Sequence, residues 1–109
     1  MSSNQLVVLC TCPDEETARR LAGTVVEERL AACVNIVPGV TSVFYWEGEA
    51  QSEQEHLMVI KTSDIAYSRL ETRLTELHPY ELPEVIAVGI DRGLAGFLDW
   101  IRDETRQGG

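Results

Sequence analysis

The chain has 109 residues, 44% of them hydrophobic and 25% charged, which is typical of one globular domain spanning residues 1–109. The excess of 18 acidic over 9 basic residues gives a net charge of −9, which opposes attraction to nucleic acid and to anionic lipid. No apolar run reaches the roughly 18 residues of a membrane span, and no basic residue precedes the short run Leu6–Cys10 as one would in a signal peptide. The odd number of cysteines argues against a framework of disulfides. We therefore expect a cytoplasmic protein with reduced thiols.

The chain opens with a predicted strand and helix. Residues Gln5–Cys12 are apolar on both faces, which predicts a first strand covered on both sides. Pro13 suits the first position of a helix, and the acidic run Asp14–Glu16 places negative charge at the positive end of the helix dipole. Apolar residues then recur at helical spacing, so we expect this helix to run to about Leu30.

A long hairpin is the next predicted element. The β-branched and aromatic run Ala31–Trp46 and a second apolar run, Leu57–Ile60, predict two antiparallel strands on either side of an acidic, glycine-containing break. Pro38-Gly39 interrupts the first arm where proline cannot donate to a strand ladder, so we expect a bend or bulge there. The aromatic end of this arm is then expected to project from the protomer.

The rest of the chain predicts a helix, a strand and a final helix. Ser63 or Asp64 can cap the second helix, which must end before Pro79. The apolar run Val85–Ile90 predicts a fourth strand, and apolar residues spaced i, i+3, i+4, i+7 from Leu94 predict the last helix, followed by a frayed tail at 107–109.

This order of elements, βαββαβ plus a helix, indicates an α+β fold of the ferredoxin-like type with an added C-terminal helix and a long bent β2–β3 hairpin. Such a fold lays its helices on one sheet face. The strands here show little polar and apolar alternation, so the other face should also be buried. Further copies of the chain are the simplest cover, which predicts a homo-oligomer.

Several motifs occur in a characteristic order: Cys10–Pro13, Ala31–Gly39, Ser42–Gly48, His78–Glu81 and Leu98–Ile101. Together they resemble the CutA family of divalent-cation tolerance proteins over nearly the whole chain. The resemblance implies a ferredoxin-like protomer in a tight homotrimer whose architecture is PII-like. It also implies a role in tolerance of copper or other divalent metal ions.

The resemblance further implies metal-linked residues. The family has a cysteine late in the first strand, matched by Cys10, a cysteine opening the second strand, matched by Cys33, and a histidine in a His-Pro-Tyr motif, matched by His78. Thiolate and imidazole donors suit copper, and Cys12 adds a thiol on the same strand face as Cys10. Core packing for the cysteines and a helix end for the histidine are the alternative explanations.

Three functional hypotheses remain open. The first is a metal-binding tolerance protein. The second is a PII-like sensor whose subunit cleft binds a small molecule, and its candidate anion ligands are Lys61, Arg92, His78 and Tyr80. The third is a protein-interaction scaffold. An enzyme is not expected, because the sequence has no glycine-rich nucleotide loop, no nucleophile elbow and no H-E-x-x-H zinc motif.

Overall fold

The computed structural model describes residues 4–106, so the predicted frayed tail at 107–109 lies outside the described residues. The elements in chain order are β1 (Gln5–Cys12), α1 (Glu15–Glu27), β2 (Cys33–Trp46), β3 (Glu49–Ser63), α2 (Asp64–Leu77), β4 (Ile86–Gly89) and α3 (Ala95–Glu104). The strands form one antiparallel sheet in the order β2-β3-β1-β4. This order confirms the predicted α+β, ferredoxin-like class with an added C-terminal helix.

Helices α1 and α2 pack on one face of the sheet, which we call the covered face. The side chains of Val8, Cys10 and Cys12 alternate along β1 and are fully buried there. They belong to the same core cluster as Leu21 of α1 and Leu74 of α2. Because each fully buried leucine contributes about 1.5–3 kcal/mol through the hydrophobic effect, the covered face is the main source of the protomer's stability.

The opposite face of the sheet, which we call the open face, carries the intervening side chains. Val7 of β1 pairs with Val88 of β4 on one side and with Lys61 of β3 on the other, and Lys61 pairs in turn with Cys33. Residues directly opposed in antiparallel strands share a face, so all four lie on the open face. Val88 is 58% exposed, so within one chain the prediction of a sheet covered on both sides is met on one side only.

Helix α1 ends earlier than the predicted Leu30. Arg29 adopts a left-handed backbone conformation with φ of 62°. The amide of Leu30 then donates to the carbonyl of Val25 at 2.9 Å, which is the Schellman pattern that closes a helix. Leu30 is buried although it lies beyond the end of the helix. It therefore continues the apolar periodicity from which the longer helix was predicted.

Side chains cap the first two helices. Asp14 is the N-cap of α1 and accepts a hydrogen bond from the amide of Thr17 at 2.8 Å, so the prediction that Pro13 opens the helix was wrong. Ser63, one of the two predicted caps, is the N-cap of α2 and accepts a hydrogen bond from the amide of Ala66.

Within residues 4–106, no helix combines the length and the apolar character that crossing a membrane requires.

The hairpin of β2 and β3 contains the predicted irregularity. The register shifts between Val37 and Val40, and Gly39 within this interval has a φ of 72°, which glycine adopts without steric cost. At the tip, Glu47 and Gly48 both have positive φ, as in a two-residue type I′ turn. The bulge and turn together bend a hairpin whose arms extend away from the helices.

Strand β3 is much longer than the apolar run Leu57–Ile60 that predicted it. It begins at Glu49, directly after the turn, and residues 49–55 pair with β2 through a continuous register. This segment is mostly polar and exposed, so cross-strand pairing and not an apolar pattern defines it. The sequence pattern alone therefore underestimated the strand.

Candidate metal site

Two thiols and an imidazole meet at the covered face. Cys10 and Cys12 are separated by one residue in β1, so both side chains leave the strand on the same side. His78 is the C-cap of α2, and its ring reaches back to the end of β1. Ligand atoms of these three buried residues all lie within 4.8 Å of one another, and within residues 4–106 no other three Cys, His, Asp or Glu side chains converge so closely.

The backbone fixes the protonation of His78. Its Nδ1 accepts a hydrogen bond from the amide of Tyr80 at 3.1 Å, so Nδ1 carries no proton. The ring proton is therefore on Nε2, which donates to the carbonyl of Thr11 at 2.8 Å and lies 3.9 Å from Sγ of Cys12. Both ring nitrogens are thus engaged, and in this conformation His78 presents an N–H, not a lone pair, toward the thiols.

The two thiols titrate as a pair. The hydrogen bond between them is the largest cause of the shifts: it raises the pKa of Cys10, with burial adding to the increase, and it lowers the pKa of Cys12. Cys12 is therefore the first of the two to lose its proton. Losing both protons would leave two thiolates side by side in a buried site, which is unfavourable unless a cation lies between them.

Cys33, a predicted ligand, is not brought together with Cys10 and His78. It lies outside the cluster, on the open face and opposite Lys61. A different residue is placed beside the cluster: His56 is directly opposite Cys12 in the β1–β3 register, and its buried Nδ1 has no hydrogen-bond partner within the described part of the chain. His56 is half-buried, not the surface side chain that its acidic and polar sequence neighbours indicate.

Within this chain, the predicted anion ligands do not assemble. The ammonium of Lys61 donates to the side-chain carbonyl of Asn35, and Arg92 pairs with its exposed neighbour Asp91. The hydroxyl of Tyr80 donates to a carboxylate oxygen of Glu55 at 2.6 Å. These side chains already have partners inside the protomer, and they do not form one cationic cleft.

Sequence reasoning set Cys12 beside Cys10 on one strand face but left it out of the ligand set. The missing information was the position of His78, which lies 66 residues along the chain from Cys12 and meets it only in the folded state. A second residue, Glu55, lies in a polar, acidic stretch of sequence that is typical of a solvated turn, yet it is only 7% exposed. No local sequence signal identifies that burial, because Tyr80, its partner, lies 25 residues away.

The fold and the cluster together define a ferredoxin-like protein with a buried site of soft donor atoms. The family model of the CutA1 divalent ion tolerance protein matches residues 6–104, and the chain belongs to this family. The predicted resemblance to CutA is thereby confirmed.

Known proteins from bacteria, plants and archaea are similar to the chain. The divalent-cation tolerance protein CutA of Thermus thermophilus is 52% identical over 99 residues, which cover 91% of this chain and 96% of that protein. The chloroplastic CutA 1 of Oryza sativa is 44% identical over 94% of this chain, which spans only 58% of that longer relative. The solved structure of the periplasmic divalent cation tolerance protein CutA from Archaeoglobus fulgidus is 36% identical, with a TM-score of 0.90 over 94% of this chain and 99% of that one.

Proposed function

We propose that the protein binds copper, as the monovalent ion Cu(I), between the thiolates of Cys10 and Cys12. This binding would contribute to tolerance of copper after cellular thiols have reduced Cu(II) to Cu(I). The observation that carries the proposal is the convergence of both sulfur atoms with a histidine ring in a buried cluster. Thiolates are soft ligands that select Cu(I) over hard cations. The family identity supports a role linked to metal ions but names no particular metal.

The electrostatics of the cluster favour a bound cation. The shared hydrogen bond and burial hold the proton on Cys10 while Cys12 loses its proton more readily. A metal ion that displaces the remaining proton is bound by both thiolates, and its positive charge offsets the repulsion between them. The full burial of both side chains excludes water from the metal, which suits an ion that is reactive when solvated.

His78 has a positioning role in this proposal. Its Nε2–H holds the carbonyl of Thr11, the residue between the two cysteines, and so fixes the strand that carries both sulfur atoms. The prediction that His78 is itself a ligand would require Nε2 to lose its proton and Nδ1 to gain one while facing the N–H of Tyr80. Because Nε2 of His78 carries the ring proton, it cannot accept a proton from Cys12, and Cys12 therefore has no general base beside it. This supports a binding protein and not an enzyme.

We further propose that the protein works as a cytoplasmic homotrimer. Apolar side chains remain exposed on the open face and along the hairpin, including Val88, Val43 and Tyr45 at 58%, 73% and 74%. Exposed apolar surface of this extent marks an association site. All three cysteines are free, as a reducing compartment allows. Native mass spectrometry tests the assembly: we expect a particle three times the mass of the 12.2 kDa chain.

An anaerobic Cu(I) competition titration tests the metal site. Cys10→Ser and Cys12→Ser each remove one thiolate, and we expect each to lower the affinity more than about 100-fold, because loss of an outer-shell partner alone costs about 10–100-fold. His78→Gln should lower the affinity within that smaller outer-shell range. The matched control is Cys33→Ser, which removes the thiol of the open face and should leave the affinity unchanged.

The opposite pattern would contradict the assignment. If Cys33→Ser weakened binding as much as Cys12→Ser, the ligands would have to come from the open face, or from its contact with another copy. Circular dichroism of each variant shows whether a loss of affinity follows from loss of fold.

A further inference from the structure

Among the described residues, Nδ1 of His56 is the only buried side-chain nitrogen or oxygen atom without a hydrogen-bond partner. Asp14 and Glu15 interact with His56 electrostatically, but their carboxylates accept hydrogen bonds from the amide of Thr17 and from Arg19. Because this nitrogen is itself enclosed, another copy of the chain cannot reach it unless the protomer rearranges. A polar atom in this situation is unfavourable in a folded protein, and it indicates a function beyond packing.

The ring of His56 extends from the interior to the surface. In the described part of the chain its other nitrogen, Nε2, makes no hydrogen bond and is not enclosed, so it is open to water. Water can accept the ring proton from Nε2, whereas a proton on Nδ1 would form a buried N–H without an acceptor. The neutral ring therefore holds an unused lone pair at Nδ1, inside the protein.

The sheet register places this ring between the copper cluster and solvent. His56 is directly opposite Cys12, and side chains in such pairs share a face, with Cβ atoms about 4.5–5.5 Å apart. On its other side His56 has no partner in β2, because the register breaks between Val37 and Val40. The bulge at 38–39 is exposed, so the side of His56 away from Cys12 faces an open part of the sheet.

The copper cluster has no accessible ligand of its own. Cys10 and Cys12 are 0% exposed, and His78 is 7% exposed with both ring nitrogens engaged. A small-molecule copper complex in solution therefore cannot touch either thiol directly. His56 adjoins Cys12, is half-buried, and has a free lone pair.

From these observations we propose that His56 is the entry ligand through which Cu(I) reaches Cys10 and Cys12, an inference that rests on the proposed copper site. Nδ1 of His56 binds the ion as a ligand of the delivering complex leaves, and Sγ of Cys12 then displaces Nδ1. Sγ of Cys10 completes the transfer, the protons of both thiols pass to the buffer, and copper remains Cu(I) throughout. Imidazole suits copper but thiolates select Cu(I), so the exchange proceeds inward and the loaded site keeps only sulfur ligands.

Anaerobic stopped-flow loading tests this role, with the coloured Cu(I)–bicinchoninate complex as the donor. His56→Leu removes the lone pair but keeps an apolar side chain, and it should slow loading about 10-fold or more, as for loss of a partner at a metal site. The equilibrium affinity for Cu(I) should stay unchanged. His56→Met supplies a soft thioether ligand and should restore fast loading. Because the nitrogen that is removed has no partner, His56→Leu should not lower the Tm, which loss of a structural histidine would lower.

The matched control is Gln54→Leu, an exposed position two residues earlier on the same face of β3, which should load at the wild-type rate. Unchanged loading in His56→Leu, or equal slowing in Gln54→Leu, would overturn the entry role alone. A loss of affinity in His56→Leu as large as in Cys12→Ser would also overturn it, since His56 would then be a permanent ligand. Wild-type affinity in Cys12→Ser would instead overturn the copper site, and the entry role with it.

Discussion

The two faces of the sheet are built from alternate residues of the same strands and have opposite surroundings. On the covered face, Cys10 and Cys12 are fully buried under two helices, whereas on the open face Ile86 and Val88 are 54% and 58% exposed. Both faces are apolar, but within one chain α1 and α2 cover one of them, whereas α3 reaches the other only at the end of the sheet near Gln5 and Ser63. Burial on the covered face is thus complete within a protomer, while apolar side chains of the open face stay exposed, and the proposed trimer would bury them.

The same comparison separates the cysteines. Cys10 and Cys12 lie together in a closed cluster with His78, and Cys33 lies opposite a lysine on the face left for assembly. The copper site proposed above uses the first two, and the third lies on the face that the proposed trimer would bury.

The largest expected effect is loss of assembly on placing a charge on the open face. Val88→Asp should convert the proposed trimer to monomers, because a carboxylate in an apolar interface would be desolvated without a partner. Since Val88 is 58% exposed in the protomer, the fold of each chain should survive, as circular dichroism can show. Native mass spectrometry gives the subunit count. Ile65→Asp, at an exposed position of α2, is the control, and a trimeric Val88→Asp variant would refute the role of this face.

The covered face should respond through the stability of the protomer. Leu74→Ala removes a fully buried side chain of α2 and should lower the free energy of unfolding by about 2–5 kcal/mol. Leu82→Ala, at a position 71% exposed, should change it by less than about 0.5 kcal/mol. Denaturant titration measures both. Equal effects at the two positions would show that the covered face is not the principal core.

A smaller effect is expected at the junction of β3 with two helices. Ser63 caps α2 and accepts a hydrogen bond from the hydroxyl of Thr105, just beyond α3, at 2.8 Å. Ser63→Ala should therefore lower the free energy of unfolding by about 1–2 kcal/mol. Ser68→Ala, at an exposed position within α2, should be neutral or slightly stabilising, and a similar loss there would contradict the capping role.

The smallest effect concerns the ion pair between α1 and α2. Arg73 donates to both carboxylate oxygens of Glu28, at 2.9 Å each, and this lowers the pKa of Glu28. A lowered carboxyl pKa stabilises the fold above the unfolded-state pKa and ceases to do so as the pH falls through the folded-state value. Glu28→Gln should thus lower the Tm slightly at neutral pH. That difference should disappear in acid and shrink in high salt, and its persistence in both would exclude an electrostatic origin.

Much of the fold follows from the sequence. Apolar periodicity identified the helices, apolar and β-branched runs identified the strands, and Pro38-Gly39 marked the bulge that the register confirms. The errors occur where long-range strand pairing or local helix capping determines the end of an element. The polar start of β3 is a strand because β2 pairs with it, and α1 ends at a left-handed Arg29 that no apolar pattern reveals.

The site was harder to predict than the fold. The alternation of a strand places Cys10 and Cys12 on one face, but the contact of Cys12 with His78 depends on the return of the chain after α2. The burial of Glu55 likewise depends on Tyr80, which its own polar neighbours in the hairpin do not indicate. The family resemblance supplied Cys33 as a ligand, and only the sheet register shows that it points to the other face.

The most direct test of the covered-face copper site is X-ray absorption at the copper edge of the Cu(I)-loaded protein. We predict a first coordination shell of sulfur alone, unchanged in Cys33→Ser and lost in Cys12→Ser. Imidazole scattering that disappears in His78→Gln, or a sulfur shell that disappears in Cys33→Ser, would contradict the assignment of the metal to Cys10 and Cys12.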